Sequence, residues 1–431
     1  MTIPSDFCAL MREQYGDTMA ESLFQGLSEE PCVSVRLNPR KSPVTEVPGG
    51  HPVPHCPGAF YLDERPAFTF DPLFHAGVYY VQEASSMYLA KALEEHLRFP
   101  LASFGAYASP HSDSRLSDTP STSPRYALDL CAAPGGKSTL LRSLLPDDWW
   151  LVSNEPMPKR AQVLAENMAK WGYPQSIVTQ NYPADFAFLS HQFDLLVTDV
   201  PCSGEGMFRK DEGAIRDWSL ENVTLCWQRQ RSILSDVWPA LKPGGLLIYS
   251  TCTFNHFEDE DNVQWIAGHL GADILEQRHF FPGRDKGEGF FLAVLRKHGT
   301  SSVPGSDASP LSPEAFVSKV RRNLHTLLCG IPEPEQTPKG PVPPHILALS
   351  TTCPRGTWPE YELTYTEALA YLRREALRIE APKGIVLVTF RGIPLGFVRS
   401  VGQRANNLYP QEWRIRTTYT TPFCLLSIDK E

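Results

Sequence analysis

DLCAAPGGKST, residues 129–139, follows the apolar run YALDL (126–130) and leads into GGKSTLLRSLL (135–145), whose spacing is helical. Strand, glycine turn and helix in that order form one wall of a ligand crevice, because open α/β sheets bind beyond the carboxyl ends of their strands. GGKS resembles the end of a P-loop, GxxxxGK[ST]. The first glycine of that motif would fall at Cys131, where a side chain crowds the phosphate nest, so the P-loop reading fails. The other reading is a Rossmann-like turn, in which Gly135 and Gly136 let backbone N–H groups approach a ligand and an acid at the next strand end takes ribose hydroxyls. WWLVSNE (149–155) ends in Glu155, about 20 residues beyond Gly136, where that acid is expected. Glu155 also suits the start of the following helix, where the dipole favours an acid. Since G-x-G-x-x-G is absent, a nucleoside without pyrophosphate fits better than a dinucleotide, and S-adenosylmethionine is such a ligand.

Outward from this turn, strands and helices alternate. PKRAQVLAENMAKWG (158–172) predicts a helix closed by Gly172, FDLLVTDV (193–200) a buried strand, and NVTLCWQRQRSILSDVWPAL (222–241) a second helix. GGLLIYSTCTF (244–254) and GFFLAVLRK (289–297) read as further strands. The alternation implies a doubly wound, Rossmann-like sheet.

Two of these strands run into cysteines. FDLLVTDV is followed by Pro201-Cys202, and GGLLIY by STCTF, so Cys202 and Cys252 both face the crevice. A lone buried Cys is usually packing. Both of these lie at loop entries beside small polar residues (Ser203, Thr251, Thr253), which leaves a disulfide, a redox pair or two catalytic groups. Asp199-Val200-Pro201-Cys202 also stands where amine methylases carry Asp/Asn-Pro-Pro-aromatic. A thiol suits a carbon acceptor instead, because adding thiolate to carbon 6 of a pyrimidine makes carbon 5 enamine-like. The attacking sulfur must be thiolate.

LDLCAAPGGKS (128–138), DVPCSGEGM (199–207) and STCTF (250–254), in this order, resemble the signature blocks of the Sun-family RNA cytosine-5 methyltransferases. FHAGVYYVQEASSM (74–87) and SVRLNPRK (34–41) resemble segments that precede the core in that family. The resemblance implies an S-adenosylmethionine-dependent Rossmann-like core, with Cys252 attacking carbon 6 and Cys202 assisting release of the enzyme–RNA adduct. It further implies cofactor contacts from Cys131, Ala132, Ala133, Pro134, Gly135, Gly136, Lys137 and Glu155, with Asp199 near the donor amine. Arg160 matches the family's helix start and equally suits the surface. Where many relatives carry an adenine-binding Asp, this chain reads Gln180-Asn181-Tyr182-Pro183, so Tyr182 occupies the acid's position and Asn181 or a backbone group would hold adenine. GQRANNLYPQEWRIR (402–416) resembles the C-terminal PUA-like domain of bacterial RsmF-type enzymes, which points to ribosomal rather than transfer RNA. The alternatives are the same chemistry on transfer RNA, or a catalytically silent RNA-binding ribosome-assembly factor.

The rest of the chain fits this outline. With 431 residues, 42% hydrophobic and 21% charged, it has room for two or three globular domains. No apolar run is long enough to span a membrane and the start is not a signal peptide, so a cytoplasmic monomer is expected. Ten cysteines without a CxxC pair predict reduced thiols and no metal site. The net charge of −9 conceals a basic segment. Between Pro382 and Thr418, Lys383, Arg391, Arg399, Arg404, Arg414 and Arg416 face a single acid, Glu412, and interleaved aromatics make an RNA surface. Tyr409 and Trp413 could instead be core of a small β-barrel. The expected domains are an N-terminal α/β unit (1–75) and the methyltransferase core (76–298), with a Ser/Pro-rich insertion near 102–124. A linker (299–312), a first C-terminal domain (313–376) and the PUA-like domain (377–431) would complete the chain.

Overall fold

In the computed structural model the described residues are 3–97, 124–299, 311–338, 340–417 and 421–426. The expected insertion up to residue 123, and 300–310 of the expected linker, lie outside them.

The chain opens with helix α1 (Ser5–Leu27), interrupted at Gly16, whose φ of 75° breaks the helical turn. Strands β1 (Val33–Leu37), β2 (His51–Pro52), β3 (Ala59–Leu62) and β4 (Tyr79–Val81) form an antiparallel sheet ordered β2-β3-β1-β4. Short α2 (Pro72–His75) enters it, capped by the Asp71 side chain on Leu73 N. The N-terminal sheet therefore runs past residue 75, because Tyr79–Val81 pairs with Val35–Leu37. Val35 and Leu37 fill the core on one face, and Arg36 is buried on the other. Its Nε donates to Gln82 Oε1 (3.1 Å) and its Nη2 to Thr139 Oγ1 (2.7 Å), while the guanidinium lies 4.7 Å over Trp171. Burial of so polar a head is tolerated because it is hydrogen-bonded, and it locks the N-terminal sheet to the start of the helix after the glycine turn.

After α3 (Leu89–Leu97) the core alternates as β5 (Arg125–Asp129), α4 (Gly136–Leu144), β6 (Trp149–Asn154), α5 (Pro158–Trp171) and β7 (Ser176–Thr179). It continues through β8 (Phe193–Asp199), α6 (Glu212–Asp217), α7 (Leu220–Val237), β9 (Leu241–Thr251), α8 (Glu260–Trp265), β10 (Ala272–Phe280) and β11 (Phe290–Lys297). Proline at its first turn and Gly172 at φ 86° delimit α5, as the sequence implies. The sheet order is β10-β11-β9-β8-β5-β6-β7, extended at one edge by β12 (Thr326–Cys329). β5 pairs in parallel with both β6 and β8, so the order reverses there and a crevice opens beyond its carboxyl end.

β7 has no sequence signature, since four residues (SIVT) carry no readable period. β12 corrects the expected boundary at 313. It pairs antiparallel with β7 and covers an edge that would otherwise expose a row of unpaired backbone groups. Helix α9 (Pro313–Asn323) packs Phe316 flat on Tyr126, with centroids 3.8 Å apart.

Beyond a hairpin of β13 (Glu335–Thr337) and β14 (Gly340–Val342) come α10 (His345–Leu349), β15 (Glu360–Glu362) and α11 (Tyr365–Leu372). Strands β16 (Gly384–Phe390), β17 (Ile393–Ser400) and β18 (Ala405–Asn407) complete a sheet ordered β15-β16-β17-β18. Its apolar face merges with that of the N-terminal sheet into one core, so the two end regions pack on each other. Tyr409 is core, buried against Tyr371 and His345, and Trp413 is half-buried beside it. Lys383, Arg404, Arg414 and Arg416 are exposed. All ten cysteines are free thiols. Among the described residues no helix is long and apolar enough to cross a membrane.

Gly172 joins the core to the C-terminal region, since a Cβ there would lie 2.1 Å from Leu349 O. Gly172→Ala is expected to lose at least about 2 kcal/mol in denaturant unfolding, from left-handed strain plus the clash. An unchanged midpoint would show that this seam carries no stability.

Candidate active site

Beyond the carboxyl ends of β5, β8 and β9 lies a cavity of about 360 Å³. Cys131, Ala132, Ala133, Pro134, Gly136 and Lys137 form one wall, with Asp199 and Cys252 opposite. An open groove of about 630 Å³ between Trp150 and α9 is larger. It holds neither the thiols nor the glycine turn, so chemistry and not volume identifies the site.

The turn forms because Gly135, at φ 115°, takes a backbone conformation that a side chain would strain, turning the chain into α4. Gly136 lies against Gln82, which closes the cavity from the N-terminal sheet. Lys137 Nζ pairs with Asp199 Oδ2 at 2.9 Å and lies 4.8 Å over the Phe290 ring. Ser250 Oγ donates to the other Asp199 oxygen at 2.8 Å. Cys131 is half-buried, and burial pushes its thiol up, so it packs as a neutral group.

Glu155 follows β6, outside the cavity lining. Its Oε1 accepts from Met157 N at 3.0 Å, as a helix-start acid would, while Oε2 is buried without a hydrogen-bond partner. Arg160 bridges this acid and the turn, with Nη1 3.3 Å from Glu155 Oε2 and Nη2 donating to Ala133 O at 2.9 Å. Asn181 Oδ1 is likewise buried and unpartnered. Tyr182 is 68% exposed and caps a 3-10 turn, its backbone N–H donating to Asp185 Oδ2 at 2.8 Å. Asp185, three residues further on, caps the backbone of Tyr182 and does not line the cavity.

Asp129, the first residue of the motif, escaped the sequence reading. It lines the cavity fully buried, accepts from Ser138 Oγ at 2.6 Å, and leaves Oδ1 unpartnered. Burial pushes its carboxyl up to about 7.

The two sulfurs meet. Cys202 Sγ lies 3.1 Å from Cys252 Sγ, a thiol–thiol hydrogen bond. That bond, then burial, pushes the Cys202 thiol well up, and either sulfur can be the donor in the contact. Behind them Glu205 and Glu258 bind the two loops. Glu205 accepts from Thr253 Oγ1 (2.5 Å), Phe254 N (2.7 Å) and Trp218 Nε1 (2.9 Å), and Glu258 from Ser203 N (3.0 Å). Glu258 is pushed up to about 7 by burial and by Glu205. Glu205 stands inside the DVPCSGEGM block, but nothing in its spacing discloses this role.

Asp129 Oδ1 and Asn181 Oδ1, buried without partners, and Glu155 Oε2, met only by the ion pair to Arg160, suit a ligand that brings its own donors. An ammonium, a ribose hydroxyl and an adenine amine are such donors, and S-adenosylmethionine carries all three. The fold is that of the S-adenosylmethionine-dependent methyltransferases. It is shared by a methyltransferase homologue from Pyrococcus horikoshii, at TM-score 0.55 and 22% identity over 68% of this chain and 95% of that one. NSun6 from the same organism, solved with the S-adenosylmethionine analogue SFG, superposes at TM-score 0.54 with 17% identity, covering 69% of this chain and 99% of that one.

Family models match three segments: the N-terminal domain of 16S rRNA methyltransferase RsmF over residues 3–84, 16S rRNA methyltransferase RsmB/F over 119–296, and the RsmF PUA domain over 359–415. Ribosomal RNA small subunit methyltransferase F of Salmonella paratyphi A is 28% identical over 95% of this chain and 96% of its own. The Pectobacterium atrosepticum protein of that name is 32% identical over 70% of this chain and 64% of its own. The chain belongs to the RsmB/F family of ribosomal RNA methyltransferases, in its RsmF-type branch.

Two outcomes follow from the cofactor end. If Asp129 accepts an ammonium, it must be ionised, so donor affinity is expected to fall as the pH drops through about 7. Calorimetric titration from pH 8 to 6 should show this loss in the wild type and a weak, flat profile in Asp129→Asn. A sloping profile in the variant assigns the titration elsewhere. Arg160→Ala should weaken donor binding about five- to twentyfold, since it frees both Glu155 and the Ala133 carbonyl; unchanged affinity would make Arg160 a surface residue.

Proposed function

We propose that the protein methylates carbon 5 of a cytosine in small-subunit ribosomal RNA, acting as a cytoplasmic monomer, with Cys252 as nucleophile. The observation that carries this reading is the 3.1 Å approach of Cys202 Sγ to Cys252 Sγ beside the glycine turn. Cys131 through Lys137, Glu155 and Asn181 would hold the donor, with Asp199 near its amine and Tyr182 contributing at the adenine end. S-adenosylmethionine, when bound, supplies an electrophilic methyl group.

The residues of this chain do the rest. A base leaves its stack to enter the cavity, since neither carbon 5 nor carbon 6 is reachable in a duplex. Cys252 Sγ bonds to carbon 6, which places electron density on carbon 5. After transfer, a water molecule takes the carbon 5 proton, the electrons of that bond form the carbon 5–carbon 6 double bond, and Cys252 Sγ leaves as thiolate. Cys202, held protonated, donates its S–H hydrogen bond to the departing sulfur and so favours release. The pair also argues against a catalytically silent assembly factor, which needs no second thiol against the first. The RsmF-type PUA match and the exposed arginines around it support ribosomal RNA over transfer RNA.

RNA carrying 5-fluorocytosine at the target should trap a denaturation-resistant adduct with the wild type, because fluorine cannot leave as the proton does. Cys252→Ala should trap none, and Cys202→Ala should accumulate adduct even on ordinary RNA. Trapping by Cys252→Ala but not by Cys202→Ala would reverse the two roles.

A further inference from the structure

We propose that Lys210 grips an RNA phosphodiester at the mouth of the cavity, beside the nucleotide whose base enters it. This rests on the RNA-methylating reading above and adds a substrate contact to it.

Lys210 lines the same cavity as Cys252. The chain between the thiols and Lys210 is rigidly seated. Gly206 N donates to Cys252 O at 2.8 Å, and a Cβ on Gly206 would meet Gly289 O at 2.6 Å and Cys252 O at 2.9 Å, so this turn is pressed on the cavity floor. Lys210 N then closes a turn on Met207 O at 2.8 Å. The backbone of Lys210 is thereby fixed beside the loop of the nucleophile, and exposed Met207 lines the same cavity.

Lys210 and Arg209 together face the single carboxylate of Glu288. Lys210 Nζ lies 3.2 Å from Glu288 Oε1, its one partner among the described residues. Glu288 is already matched from within, because Arg209 Nε holds the other oxygen at 2.7 Å with both side chains under 5% exposed. Arg209 also donates to Gly287 O and Gly26 O, so it is tied to the scaffold. Glu83, another acid of the lining, accepts from Ser85 N, Ser86 N and Glu288 N and makes no ion pair with Lys210. The remaining lysine of the lining, Lys137, is spent on Asp199 and is 12% exposed, whereas Lys210 is 31% exposed.

An ammonium has three donors, and one contact to Glu288 leaves two for a ligand. A ligand at an open rim must be an anion that stays in solvent. In a flipped nucleotide the base goes inward and the phosphodiester stays outside. The carboxylate of the methyl donor is the competing source of the same charge, and it would be enclosed.

The test uses the full chain, with Lys210→Gln and Lys210→Arg. RNA affinity of a ribosomal RNA fragment is measured across a salt series, alongside donor affinity and methyl incorporation. Lys210→Gln is expected to weaken RNA binding and raise KM for RNA about five- to tenfold. It should lower the slope of log affinity against log salt by about one, the signature of one lost phosphate contact. Lys210→Arg should restore the slope, and donor affinity should stay within twofold. An unchanged slope would overturn the proposal, and a selective loss of donor affinity would reassign Lys210 to the donor's carboxylate. A wild type that binds RNA without methylating it would sink the earlier reading and leave the salt slope to judge Lys210.

Discussion

The carboxylate of Glu205 is fully buried, and hydrogen bonds from separate segments replace the water it has lost. Ser203 Oγ, Thr253 Oγ1, the amides of Phe254 and Asn255, Asn255 Nδ2 and Trp218 Nε1 all donate to it. These donors come from the loop after β8, the loop after β9 and the entry to α7. Because an unsatisfied buried charge is so costly, none of the three can move without the others. The thiols ride on two of those loops, and their separation is set by this tie.

Glu258 repeats the arrangement one layer away, accepting from Ser203 N, Asn255 Nδ2 and Gln230 Nε2. Being pushed up to about 7, it need not carry full charge beside Glu205, which relieves the repulsion between the two carboxylates. The Cys202 thiol above them is pushed well up by its bond to Cys252 and by burial.

The outer regions are fastened to this centre by buried cations that find acceptors rather than counter-charges. Arg36 ties the N-terminal sheet to α4 through Thr139 and the Gly136 carbonyl. Lys41 Nζ donates to Ala76 O and Lys170 O at the carboxyl end of α5, where the helix dipole favours a cation. Burial pushes this amine down to about 7 against that preference. The N-terminal region thus supplies one wall of the cavity through Tyr80–Glu83.

Local chemistry made much of the site legible. Gly135 and Gly172 announce themselves because only glycine is comfortable at their backbone angles, and Cys202 and Cys252 because apolar runs stop just before them. Short β7, the edge-covering β12 and the extra strand β4 were hidden, since each exists only through pairing with a distant segment. The same holds for function. Asp129, Arg160, Glu205 and Lys210 are ordinary charged residues in the linear chain. Burial, an orphaned oxygen, a shared carboxylate or a spare charge acquires meaning only when residues far apart in sequence are brought within a few ångströms. Backbone preference is a property of each residue, whereas solvation and partnership belong to the folded whole.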